Sequence, residues 1–236
     1  MTTADRRRVT VWIFLLFQAL YALTSSGNAF RVPDEFEVYY QVEHLADAGD
    51  LSIPQPVSSG MFFGRIGLDG KPYAPYGPLA AVLALPHHLL ARGLAWIAGI
   101  PRETVIWTFV VSGLTMLSTS TGTALAVAGF YRAAIAVGAS GAAALLLSLM
   151  LGATSVLWAY GTSFYSEGWQ AAAFIWAAVC LLERRIALAS LLLAIAGLTK
   201  ATSLVFAPGF LAAVLVDRSL TSQGRWKAVG IGRAHV

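Results

Sequence analysis

Six apolar stretches, at residues 9–27, 77–99, 105–130, 133–159, 164–182 and 186–216, carry almost no charged side chains. Inside hydrocarbon a backbone must satisfy its own N–H and C=O groups, so helices and closed barrels are the forms that cross a bilayer. About 20 apolar residues in a helix cover its ~30 Å core. These lengths imply an all-α fold, a polytopic transmembrane helical bundle. Composition agrees: 57% of residues are apolar and 12% charged, with a mean hydropathy of +0.68. A soluble domain carries about 25% charge. The net charge of +4 does not point to nucleic acid, because the basic residues lie mainly in short connections between apolar runs. Cys180 is the only cysteine and lies inside such a run, which excludes an internal disulfide and a thiolate metal site. Residues 9–23 follow Arg6, Arg7 and Arg8 like a signal peptide, but no small-residue cleavage motif follows. They read as a retained anchor.

The bundle reads as one domain over residues 1–230. The last six residues, Ile-Gly-Arg-Ala-His-Val, match one frame of a common sequencing adapter, so residues 231–236 read as an artefact ending a truncated frame. His235 is given no chemical role.

Residues 28–76 differ in kind, with most of the acidic side chains, several prolines and turn signals. Within them, 33–49 has helical spacing: Phe36, Tyr39, Tyr40, Val42, Leu45 and Ala46 oppose Glu37, Glu43, His44 and Asp47. This predicts an amphipathic helix along the membrane surface, stopped at Gly49. Residues 62–73 contain Leu68-Asp69-Gly70-Lys71, a turn that closes a short hairpin.

Topology hinges on residues 77–99, where Pro86 interrupts the run beside His87, His88 and Arg92. If they do not cross, the cytoplasmic connections hold Arg6, Arg7, Arg8, Arg132, Arg184, Arg185, Arg218, Arg225 and Lys227, as the positive-inside rule favours. The expectation is two short helices dipping into the outer leaflet. Residues 28–104 then form an external first loop, and the N-terminus is cytoplasmic. Tyr160 to Glu167 comes to the same external face. Residues 186–216 are too few for two crossings and predict two short helices with Lys200 near their tip.

Several side chains could carry chemistry on that face. Asp34 is a candidate general base for an incoming hydroxyl, with Glu35 beside it; alternatively Asp34 caps the surface helix, with Glu37 completing a capping box. Glu167 is an ionisable group beside a long apolar span, or else a first-turn carboxylate on the helix dipole, capped by Ser163 or Ser166. Lys71 and Lys200 could neutralise a leaving phosphate, or be a hairpin lysine and a snorkelling lysine. Phe62, Phe63, Tyr73 and Tyr76 could line a sugar site or serve as an aromatic belt. His87 and His88 do not point together on a helix, so packing is the simpler reading than a metal site.

Pro33-Asp34-Glu35, Tyr39-Tyr40, residues 45–50 (Leu-Ala-Asp-Ala-Gly-Asp), Ile53-Pro54 and Gly70-Lys71-Pro72 together resemble the first external loop of a known family. It is the polyprenyl-phosphate-dependent glycosyltransferases of the C fold type, which include protein O-mannosyltransferases and lipid A aminoarabinose transferases. The resemblance continues through Tyr165-Ser166-Glu167 and Gly197-Leu198-Thr199-Lys200. It implies a membrane enzyme of the cell envelope that takes a hexose from a polyprenyl-phosphate donor to an external lipid, glycan or protein acceptor. It implies catalytic carboxylates at Asp34 and Glu167, with Glu35 adjacent, and binding of the lipid phosphate by Lys71 and Lys200; Tyr73 and Tyr76 stay substrate-binding candidates as aromatics of the same loop. Gly70 stands where the aminoarabinose transferases carry a glutamate beside the lysine, so their kind of metal site is not implied; a divalent cation remains an alternative to lysine at the phosphate.

The implied chemistry is a single displacement with inversion at the anomeric carbon. Phosphate leaves without protonation, so one carboxylate suffices where hydrolases of sugar ethers use two. The rival reading is a transporter or flippase component, which places ionisable groups near the bilayer midplane among broken helices. A structural membrane subunit would leave the charges scattered.

Overall fold

A computed structural model describes residues 2–25, 27, 32–53 and 65–216. Phe62, Phe63, Arg218, Arg225, Lys227 and the tail 231–236 lie outside the described residues. Those described are almost entirely helical. Helix α1 spans Thr3–Thr24, α2 Pro33–Ala48, α3 Leu79–Ile97 and α4 Val105–Ala136. Then come α5 Gly141–Thr154, α6 Leu157–Gly161, α7 Glu167–Leu182 and α8 Ile186–Thr199. A 3-10 turn, Ala201–Phe206, leads into α9, Ala207–Val216.

Helix α4 is the spine, 32 residues long. Its C-terminal half packs against α1, where Ile13, Phe17 and Tyr21 meet Ala124, Val127, Ala128 and Tyr131. On another side it receives α7. There Gly122 lets the Trp169 backbone approach so closely that a Cβ would lie 2.8 Å from its nitrogen. Such a small-residue seam lets two helix backbones approach closely. The N-terminal half packs instead against α3, through Ala91, Ala95 and Val111.

A row of hydroxyls on α4 would be costly to bury unpaired. Thr115 and Thr123 donate to the carbonyls one turn back, Val111 at 2.6 Å and Thr119 at 2.9 Å. Ser120 donates to the Gly161 carbonyl at 2.8 Å, and Ser118 accepts from the Trp169 indole at 3.0 Å. These hydroxyls fix the height of the α6–α7 connection along α4.

Two helices among the described residues, α3 and α4, are long and apolar enough to cross a membrane. Helices α5, α7 and α8 are apolar but only 14 to 16 residues long.

The structure corrects three expectations about elements. Residues 77–99 form one helix rather than two. Pro86 removes a single backbone bond, leaving the Val82 carbonyl without its helical partner. His87 and His88 secure the next turn by pairing with Thr121 and Thr115 on α4, each at 3.1 Å. Both rings thus face α4 and not each other. The helix expected to end at 130 runs on through Arg132, whose side chain pairs with Glu183 of α7. The run expected from 133 is accordingly split by a turn and resumes as α5.

Helix α2 forms where the periodicity places it and ends at Gly49, with φ of +69°. It is not a surface helix with one wet face. Glu35, Glu37 and Gln41 are buried together with Val38, Tyr39 and Val42. Those apolar side chains meet Ala80, Ala81, Ala84, Met116 and Phe164.

The expected hairpin is present. Strand β1, Arg65–Ile66, pairs antiparallel with β2, Pro72–Tyr73, across the Asp69-Gly70 turn. Gly70 has φ of +78°, the left-handed conformation this turn demands.

Candidate functional site

The α1–α4–α7 packing brings four long-range segments together at one level. Asp34, in the first turn of α2, lines an open cleft of about 210 Å³ with Tyr76, Tyr165, Glu167 and Lys200. The Lys200 ammonium pairs with the Glu167 carboxylate at 2.5 Å, and lies 5.8 Å from the centre of the Tyr76 ring. The Tyr76 hydroxyl lies within hydrogen-bonding reach of Asp34. Burial raises its pKa, and the charges of Asp34, Glu37 and Glu167 raise it further. Tyr165 is shifted the same way, by burial and then by Glu35, Asp34 and Glu167. The cleft is thus acidic overall, with one ammonium to two carboxylates, Asp34 and Glu167.

Lys200 is placed by a break in the chain. Helix α8 ends at Thr199, and Lys200 is extended, with φ of −152° and ψ of 117°, before the 3-10 turn begins. The expected pair of short helices with a lysine at the tip is therefore found. What holds the tip in place is Gly77, which sequence reading missed. A Cβ there would lie 1.8 Å from the Leu198 carbonyl oxygen and 2.6 Å from its carbon. The only signal was its turn context, Tyr76-Gly77-Pro78.

Glu167 is not capped by a serine. Ser166 holds the N-cap position without a side-chain cap bond; its hydroxyl donates to the Glu167 carboxylate at 3.4 Å, and that carboxylate pairs with Lys200 from the first turn of α7. The cap expected of Asp34 falls to its neighbour. Glu35 accepts from the Val32 amide at 3.4 Å and, across 129 residues, from the Phe164 amide at 2.8 Å. Only 1% of Glu35 is exposed. Its carboxylate is committed to backbone and does not face the cleft, which frees Asp34 for another role. Glu37 is buried at 3% exposure and completes no capping box with Asp34.

The Glu35 tether makes a stability prediction. Glu35→Ala strands the buried Phe164 amide, which costs about 1–3 kcal/mol. Glu35→Gln keeps one acceptor oxygen and recovers most of that loss. Thermal melts of the two variants in one detergent should separate clearly; equal melting would show that the tether carries no weight.

Lys71 and Tyr73 do not line the cleft. The Lys71 ammonium pairs with Asp50 at 2.5 Å, and the Tyr73 hydroxyl donates to Asp69 at 2.7 Å. Both pairs belong to the hairpin and its anchor on the loop after α2, where the Ile53 amide donates to the Pro72 carbonyl at 2.8 Å. The Lys71 ammonium and the Ser52 amide lower the Asp50 pKa to about 2. A depressed carboxylate favours the fold above its unfolded pKa and loses that contribution as pH falls through about 2. In a carboxyl-selective NMR titration Asp50 should stay ionised to near pH 2, and Lys71→Ala should bring it back toward the ordinary range. An unchanged Asp50 midpoint would mean the pair is not populated.

No group of three or more histidine, cysteine, aspartate or glutamate side chains among the described residues is arranged to hold a metal ion. Positive charge at the cleft comes from Lys200. No family model matches the chain, and no curated protein or solved structure matches it either.

Proposed function

We propose that this chain is a multi-pass membrane glycosyltransferase that moves a hexose from a polyprenyl-phosphate donor to a hydroxyl group of an external lipid, glycan or protein. The observation that carries the reading is the convergence of Asp34, Tyr76, Glu167 and Lys200 in one cleft. Arg6 and Arg132 lie close to Tyr131, toward the other end of α4, and Arg132 pairs with Glu183 beside Arg184 and Arg185. By the excess of basic residues that end faces the cytoplasm and the cleft faces outward.

The acceptor hydroxyl takes the place of the Tyr76 phenol beside Asp34. Asp34 removes its proton as the oxygen attacks the anomeric carbon. The bond from that carbon to the phosphate oxygen breaks, and its electron pair leaves with the phosphate. Attack opposite the leaving group inverts the centre. With Lys71 engaged elsewhere, neutralising the phosphate falls to Lys200. A cleft of about 210 Å³ is smaller than the ~300–1,000 Å³ of sites that enclose a ligand. The donor therefore enters as Lys200 exchanges Glu167 for the phosphate.

A second reading has one observation in its favour: the chain is broken at Lys200, beside a carboxylate, as in transporter sites. One experiment separates the two. The protein is reconstituted in vesicles with radiolabelled polyprenyl-phosphate hexose and a hydroxyl acceptor. A product of inverted anomeric configuration is expected. Retained configuration would require a covalent intermediate and sink the single displacement. Label crossing the bilayer without transfer would favour the transporter.

A further inference from the structure

A second polar pocket lies at the other end of α2, between its last turns, the end of α3 and the start of α4. Glu43, Asp47, His88, Arg92, Arg102 and Trp107 line it, and its volume, open to solvent on one side, is about 460 Å³. That is roughly twice the cleft at Asp34. Its acidic side chains are already engaged. Asp47 accepts from Arg92 at 2.6 Å, and Glu43 interacts with the Tyr39 hydroxyl. His88 is 1% exposed; the Thr115 hydroxyl donates to Val111 and so accepts from the His88 Nδ1–H, which leaves the buried Nε2 an unused acceptor. The guanidinium donors are not all engaged. Arg92 uses one nitrogen on Asp47, and a guanidinium has five N–H donors in all. Arg102 lies 5.7 Å from the centre of the Trp107 ring and forms no ion pair among the described residues.

The guanidinium N–H groups left over at Arg92 and Arg102 select a ligand with clustered oxygen acceptors. We infer that the pocket binds an oxyanion, of the phosphate class, held by Arg102 and Arg92, with a hydroxyl of the ligand donating to the His88 Nε2. Arginine suits this because its planar fork meets two oxygens at once. The indole of Trp107 holds the Arg102 guanidinium by a cation–π contact and limits the rotamer freedom lost on binding. The first turn of α4, which contributes Trp107, adds the positive end of a long helix. The assignment does not rest on glycosyl transfer, because binding is read without turnover.

The phosphate could come from solution or from a lipid headgroup, and the test separates these. The whole chain in detergent is titrated with inorganic phosphate by isothermal calorimetry. In parallel, nanodiscs of phosphatidylcholine with and without phosphatidylglycerol are compared by native mass spectrometry for retained lipid. Arg102 is exposed, so Arg102→Gln leaves the core intact. Losing a hydrogen-bonded charge should weaken binding at least about tenfold, with Arg102→Lys intermediate. Saturable phosphate binding that weakens in Arg102→Gln supports a free oxyanion. Retained phosphatidylglycerol that is lost in Arg102→Gln supports a headgroup. Absence of both, or binding equal in the variant, overturns the assignment.

Discussion

Asp34→Asn is expected to lower glycosyl transfer by about 10²–10⁴-fold, the usual contribution of a positioned general base. The variant isolates chemistry from folding. Asparagine has nearly the shape of aspartate, and the cap of α2 is made by Glu35 rather than by Asp34. What asparagine cannot do is accept the acceptor's proton. The loss should therefore appear in the turnover number, with the donor's apparent affinity little changed. It should also exceed the loss in Glu35→Gln, whose carboxylate lies against backbone amides outside the cleft. Undiminished transfer by Asp34→Asn would remove the proposed base. An equal loss in both variants would mean that the start of α2 matters only as structure.

Gly77→Ala is expected to cost roughly 1–3 kcal/mol of stability and to suppress transfer together with it. The added methyl would meet main-chain atoms of Leu198 and Thr199, which cannot rotate aside. The turn at 76–78 and the end of α8 must separate, and Lys200 moves with that end. A misplacement of about 1 Å at a reacting group can cost ~10²-fold in rate. Gly93→Ala is the matched control, because a methyl there meets no atom within 4 Å and improves helix propensity. A melting temperature that falls for Gly77→Ala and holds for Gly93→Ala, with donor affinity lost only in the first, is the expected pattern. If Gly77→Ala keeps full donor affinity, Lys200 is not the phosphate ligand.

Those two positions also show what could be read in advance. Asp34, Glu167 and Lys200 stood out because an ionisable group beside an apolar run needs a reason to be there. Their convergence depends on hydroxyl and glycine contacts along α4, which no local pattern displays. Glu35 and Asp34 could not be told apart in the sequence, because adjacent helical residues point about 100° apart and sequence alone does not fix which of two neighbours faces the cleft. Lys71 and Tyr73 lie away from the cleft for another reason. The turn chemistry of the hairpin is local and legible, but its docking is decided by Asp50 and Ile53, some twenty residues earlier. At Pro86 a breaker was counted by residue type, whereas tertiary partners at Thr115 and Thr121 carry the helix across it. The helical class was the most legible property, because its cause is the composition of whole segments.

Helix α4 also works as a ruler. At 1.5 Å per residue its 32 residues extend ~48 Å, against a hydrocarbon slab of ~30 Å. Lying wholly inside that slab would demand a lean of about 50°, beyond the ~40° limit of known spanning helices. Under the proposed orientation, with Arg132 held among the headgroups of the inner leaflet, the opposite tip must stand proud of the outer one. Yet that protruding part keeps Ile106 and Phe109 bare, and α3 beside it bares Leu90 and Trp96. So greasy a pier is a poor match for water, and surfactant should coat it well above the lipid line.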